Sequence, residues 1–291
     1  MKKATAKAII FVLIILLLAA CSAEAAEEYV PELYLADSTN NAEMLPAIAQ
    51  AAWPWKALTE QDDAPRTGTV TFEGKEYSGT YEFSGRPRYT GALVHQYVTG
   101  EQIRFTLDSE SGALRSINFK SPEFIENERA LAEGPQLTED QCRSLADDVA
   151  GKYVSLSDYS LVTVSATHII SDKYTFVYCR PVNGLPSGDR LGVEMTCHGN
   201  LASITFCTTD EYAAFAGRAK ALARADGRAM AQEALGKMAE LNGVSLSSVS
   251  CEDGVYAITP QGECVLVLTA TAAFRTEGGE EYSCGYNFIL K

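Results

Sequence analysis

The sequence writes one strand twice, and that repeat constrains the fold more than any other feature. Gly112-Ala-Leu-Arg-Ser-Ile-Asn-Phe119 and Gly199-Asn-Leu-Ala-Ser-Ile-Thr-Phe206 share the pattern Gly-x-Leu-x-Ser-Ile-x-Phe. Gly112, Leu114, Ile117 and Phe119 of the first copy thus correspond to Gly199, Leu201, Ile204 and Phe206 of the second. In both copies the glycine follows polar turn residues, so each reads as the last strand of a hairpin. Alternation directs Ile117 and Ile204 toward a core and places Ser116 and Ser203 on the opposite, exposed face. Position 199 lies 87 residues beyond position 112, about the size of one small domain.

The segment ahead of the second copy has helical periodicity. Thr138 and Gln141 have capping-box spacing, and Cys142, Leu145, Ala146, Val149, Ala150 and Tyr153 form one apolar stripe. A shift of 85 residues lays Leu145, Ala146, Val149 and Ala150 over Met230, Ala231, Ala234 and Leu235, so a second helix is predicted at 228–241. Strand patterns fill 69–119, then 160–167, 174–180, 191–196 and 201–207, then 255–259, 265–274 and 282–290. The repeating unit is thus one helix followed by about four antiparallel strands. It is complete in 136–208, lacks its helix in 66–120, and in 218–291 ends before a third copy of the repeated strand. The expected fold is α+β, with repeated units of one helix packed on an antiparallel sheet.

The first residues have the charged start, apolar core and small-residue end of a secretory signal. Leu18-Ala19-Ala20-Cys21 resembles the bacterial lipobox, which implies cleavage after Ala20 and lipidation of Cys21 with diacylglyceryl and palmitate-type chains. Each buried CH₂ contributes about 0.8 kcal/mol, so two or three chains would hold the protein to a membrane, facing the extracytoplasmic side. The expected organisation is a lipoprotein signal peptide at 1–20, an acidic tether at 21–45, a β-rich partial repeat at 46–135, a complete unit at 136–210 and a second unit, without its last strand, at 211–291. Within the partial repeat, Pro46 to Leu58 reads as a short alanine-rich helix broken at Pro54. Trp53 and Trp55 flank that proline, either as a ligand-stacking platform or as packing over a sheet edge; the burial energy of aromatic rings favours packing.

Three lysines precede Cys21, leaving 21 basic against 38 acidic residues and a formal charge of −17 on the mature chain. That balance disfavours nucleic acid, which needs basic patches to displace counterions. It also leaves membrane attachment to the anchor. Seven cysteines besides Cys21 fit no zinc spacing and are expected to be core residues, with one or two disulfides open to them in an oxidising compartment. No metal or other cofactor is expected.

Phe105-x-Leu-Asp108-x-x-x-Gly112-x-Leu114, the helix at 138–153 followed by Tyr174-x-Phe-x-Tyr178, and the helix at 228–241 resemble the PepSY family. These are small exported domains with one helix on an antiparallel, cystatin-like sheet, found in metallopeptidase propeptides and in tandem in spore-germination proteins. The resemblance covers about residues 66–291. It implies inhibition or modulation of another exported protein and supplies no catalytic residues.

His95, His168 and His198 fall on strands or turns, and no His-Glu-x-x-His, nucleophile elbow or phosphate loop occurs. A non-catalytic binding or modulatory module on the membrane is therefore the first expectation. A lipoprotein holding a small molecule or peptide, with Trp53 and Trp55 in its lining, is the second. A hydrolase using dispersed carboxylates is the third.

Overall fold

The computed structural model describes residues 31–36, 50–55, 63–87, 89–119, 131–168, 172–207, 219, 222 and 225–291. The signal segment and Cys21 lie outside them. Nine strands, β3 (Thr67–Phe72), β4 (Lys75–Gly85), β5 (Val94–Val98), β6 (Arg104–Asp108), β7 (Leu114–Asn118), β8 (Ser160–His168), β9 (Asp172–Cys179), β10 (Arg190–Thr196) and β11 (Leu201–Phe206), form one sheet. Its order is β3-β4-β5-β6-β7-β11-β10-β9-β8.

The centre of that sheet is the pair β7–β11, the two copies of the repeated strand, running antiparallel with Ile117 opposite Ile204. Each copy ends a meander and leaves one hydrogen-bonding edge open, and matching alternation lets the two edges close on each other. Pairing register carries one row across eight strands: Tyr81, Tyr97, Phe105, Ile117, Ile204, Val193, Phe176 and Val164. Phe105, Ile117, Ile204, Val193 and Phe176 have no exposed surface. Leu114, Phe119, Leu201 and Phe206 pack against the same core. The neighbouring rows are polar. Ser116 Oγ lies 2.8 Å from Thr106 Oγ1, and Ser203 Oγ donates to Glu194 Oε2 at 2.9 Å. Both serines are half-buried rather than exposed, because the cross-strand bonds hold them down.

Helix α1 (Glu139–Ala150) covers β9 and β10, burying Cys142, Ala146 and Ala150. Its capping box is complete: Thr138 Oγ1 accepts from Gln141 N while Gln141 Oε1 accepts from Thr138 N. Tyr178 of β9 donates to Asp147 of the helix at 2.6 Å. Burial, with that bond, pushes the phenol pKa up, so the hydroxyl stays a donor.

The second sheet runs β12 (Ser245–Cys251), β14 (Cys264–Arg275), β15 (Glu281–Leu290), β1 (Leu33–Ala36) and β2 (Gln50–Ala51), with β13 (Val255–Ile258) also on β14. Helix α2 (Gly227–Leu241), capped by Asp226 on Ala229 N, buries Ala231, Leu235, Met238 and Ala239 against one face. Trp53, Trp55 and Tyr89 pack on the other. Burial on both faces explains the near-continuous apolar run of β14. The edge of β15, where no third repeat exists in sequence, is taken by β1, which pairs antiparallel to it. Leu35 and Ala36 are buried there, so this stretch of the expected tether is a strand of the sheet. Gln50 and Ala51, expected within a short helix, form a strand parallel to β1.

The expected α+β fold, with repeated helix-on-sheet units of PepSY or cystatin-like form, is corrected. The structure is mostly β, with two sheets, antiparallel but for the β1–β2 pair, and two helices among the described residues. The strands expected in separate units at 46–135 and 136–210 join edge to edge in one sheet. Leu33–Lys291 form one compact unit; of Met1–Glu32, only Pro31 and Glu32 are described.

Candidate functional site

The two sheets meet along β13, and the joint is made largely of backbone. Tyr256 N donates to Pro186 O and Gly188 N to Tyr256 O, while Ile258 N donates to Tyr89 O. Trp55, 4% exposed, closes the joint: its indole Nε1 donates to Thr90 O at 2.9 Å and to Ile258 O at 3.1 Å. Trp53 meets Trp55 edge to face at 5.1 Å. These tryptophans fasten the sheets together, and neither lines the cleft beside them.

That cleft, about 670 Å³, opens between the first repeated hairpin and the β13–β14 turn. Four segments line it: Arg86–Pro87 with Thr90–Val94, the turn 108–111 with Arg115, Phe206–Cys207 at the end of β11, and Ile258–Pro260 with Gly262. Pairing of β7 with β11 brings the second and third of these together, so the repeat itself builds part of the site.

Asp108 organises one wall. Its Oδ1 accepts from Ser111 N at 2.9 Å, Ser111 Oγ at 2.8 Å and Glu110 N at 3.2 Å, the side-chain-to-backbone pattern of an Asx turn. Its Oδ2 takes Arg115 Nη2 at 3.0 Å and Nε at 3.3 Å. Burial alone would raise the carboxyl pKa, but the Ser111 and Arg115 hydrogen bonds and the guanidinium charge outweigh it, and the value is lowered. Arg115 is therefore fixed as a paired cation. Arg86, which also lines the cleft, donates Nη1 to Gly91 O and has no carboxylate partner among the described residues. The sequence reading named Asp108 only within the Phe105–Leu114 pattern and missed Arg86 and Arg115. Their signal, two arginines flanking paired hairpins, acquires meaning only once the strand order is known.

Of the thiol and hydroxyl groups nearby, Cys207 lines the cleft, while Cys179 and Ser84 are buried and outside its lining. Burial pushes the Cys207 thiol pKa up, above the pull of Arg115 and Arg190. Cys179 is likewise raised by burial, and Ser187 N donates to its sulfur at 3.0 Å. Ser84 Oγ is 2.7 Å from His95 Nδ1, the spacing of a nucleophile and its base, yet Ser84 is 1% exposed and its hydroxyl also meets Tyr81. It is a buried cross-strand pair. All seven cysteines from Cys142 to Cys284 are free thiols, and among the described residues no group of three or more His, Cys, Asp and Glu is placed to hold a metal ion. No helix among those residues is long and apolar enough to cross a membrane.

Gly112 and Gly199 both have positive φ, 68° and 81°, in the turns that start their strands. Compared with family models, with curated proteins and with solved structures, the chain matches none of them.

Proposed function

We propose that the chain is a bacterial lipoprotein, anchored through Cys21 on the extracytoplasmic side, that binds rather than catalyses and takes a small ligand in the cleft between its sheets. The cleft carries this reading. Its volume falls within the range of small-molecule sites, and its polar groups converge from four segments onto apolar walls at a junction between two sheets. Trp53 and Trp55 then act by holding the junction closed, one step removed from the ligand.

The test is thermal stabilisation of the mature chain by a metabolite and peptide panel, repeated with Ser109→Trp to fill the cleft. Ligands that raise the melting temperature of the wild type and lose that effect in Ser109→Trp support the reading. A panel with no stabilising member, or one whose effects survive the filled cleft, contradicts it. Anchoring is tested separately: incorporation of a fatty-acid analogue should vanish in Cys21→Ala.

A second reading, modulation of another exported protein in the manner the PepSY resemblance implies, has its own support in β8. This edge strand, Ser-Leu-Val-Thr-Val-Ser-Ala-Thr-His, carries no Lys, Arg, Asp or Glu and pairs on one side only, with β9, among the described residues. An uncharged edge of this length can accept a partner's strand. Thr163→Lys should abolish surface proximity labelling of such a partner while leaving ligand stabilisation intact.

A further inference from the structure

We propose that the ligand of the cleft is a small anion, a carboxylate or a phosphate ester with a compact apolar body, and that Arg86 receives its negative group. The proposal rests on the cleft being the ligand site.

Arg86 is the residue on which it turns. Acidic residues outnumber basic ones 38 to 24, and Arg104, Arg115, Arg180, Arg228 and Arg275 each hold a carboxylate. Arg66, Arg86, Arg143 and Arg190 hold none among the described residues, and of these four Arg86 alone lines the cleft, where it is half-buried. Its hydrogen bond from Nη1 to Gly91 O orients the guanidinium, and among the described residues Nε and Nη2, one edge of the fork, have no acceptor and can take a second one. A planar fork of this kind matches a carboxylate or phosphate in two-point geometry, and partial removal from water strengthens the charge-assisted bond.

The surroundings divide the remaining work. Arg115 borders the cleft as a cation whose charge Asp108 offsets. The Ser109 hydroxyl lines the same space and makes no hydrogen bond among the described residues, so it can donate to or accept from the ligand. Leu93, Phe206 and Pro260 provide the apolar wall. Glu110, exposed at the rim with no side-chain partner among the described residues, opposes a second negative charge and so favours ligands with one anionic end.

Isothermal titration of the mature chain in detergent with benzoate, phenyl phosphate and neutral benzyl alcohol tests this. The expected result is that at least one anion binds about tenfold or more tightly than benzyl alcohol, and that Arg86→Gln weakens it about tenfold or more. The preference between benzoate and phenyl phosphate separates a carboxylate from a phosphate ligand. Glu110→Gln, a change on an exposed turn that leaves the fold untouched, should tighten the anion about two- to threefold, with the gain shrinking at high salt. Benzyl alcohol binding as tightly as both anions, lost in Ser109→Trp but unchanged in Arg86→Gln, overturns the anion proposal and leaves the cleft reading standing. Anion binding unchanged in both Arg86→Gln and Glu110→Gln also overturns the proposal. No binding of any probe at millimolar concentration overturns both.

Discussion

The turn that leads into the first repeated strand and the turn that leads into the second differ in composition and in surroundings. The first is one residue longer and is organised by Asp108, whose carboxylate accepts from Glu110 N, Ser111 N and the Ser111 hydroxyl. In the second, Thr196 Oγ1 does the same work, accepting from His198 N at 3.3 Å and Asn200 N at 3.2 Å. The second turn is also packed under the α1 segment. Asn200 Nδ2 donates to Leu131 O and Glu133 O, His198 Nδ1 lies 2.8 Å from Gly134 O, and Leu137 N donates to Cys197 O. The first turn instead borders the cleft and adds Arg115 to it. The two strands pair with one another, so a change in Ile117 is felt by Ile204. Their turns, free of that pairing constraint, face different surroundings, one packed under the α1 segment and one bordering the cleft.

The largest expected effect tests the likeness. Ile117→Ala and Ile204→Ala should each cost about 2–5 kcal/mol in chemical unfolding of the mature chain, because both isoleucines are fully buried at the same seam. Their double mutant should cost less or more than the sum, since directly opposed residues couple. Strict additivity would break the seam.

The glycines sharpen the difference. Gly199→Ala places a side chain at φ 81° whose Cβ would lie 2.9 Å from Leu137 Cδ1 and 3.0 Å from Leu145 Cδ1, and about 2–3 kcal/mol is expected. Gly112→Ala meets nothing within 4 Å and should cost only the left-handed backbone, about 1–2 kcal/mol. Equal costs would mean that both turns are equally enclosed.

Of the two side chains that organise the turns, Asp108 and Thr196, Asp108 should give a pH dependence. The folded pKa of Asp108 lies below its ordinary value of 3.8, so as pH falls the unfolded chain takes up this proton first. The stabilisation is fully present well above pH 3.8 and is lost as pH falls through that value to the folded one. Asp108→Asn should cost about 1–2 kcal/mol at neutral pH and flatten this part of the acid unfolding profile. Thr196→Val should leave the profile's shape unchanged, since Thr196 carries no proton to titrate.

Much of this architecture was legible from local pattern. Alternation marked most strands, and Thr138 with Gln141 marked the start of α1. The partner of each repeated strand was not legible, because a strand's sequence specifies which face is buried and says nothing about which edge it meets. That gap produced the α+β expectation: separate units, the first of them without its helix, where the structure joins the last strands of the first two. β1 was hidden because Leu33-Tyr-Leu-Ala36 is too short to show a period, and β12 because Ser-Leu-Ser-Ser-Val-Ser-Cys carries mostly small polar residues. The cleft was out of reach for the same reason as the seam. Arg86, Arg115, Phe206 and Pro260 are far apart in sequence and are brought together only by the strand order and the sheet junction.

Pairing of the two copies is tested most directly by NMR of the mature chain with selective labels on both strands. Phe119 N donates to Ala202 O, which makes that pair hydrogen-bonded and its neighbours, Asn118 with Ser203, a close non-hydrogen-bonded pair. The account predicts a strong Hα–Hα contact between Asn118 and Ser203 and slow amide exchange along β7 and β11. An absent contact, with fast-exchanging amides on the facing edges of both strands, would show two separate sheets and contradict it.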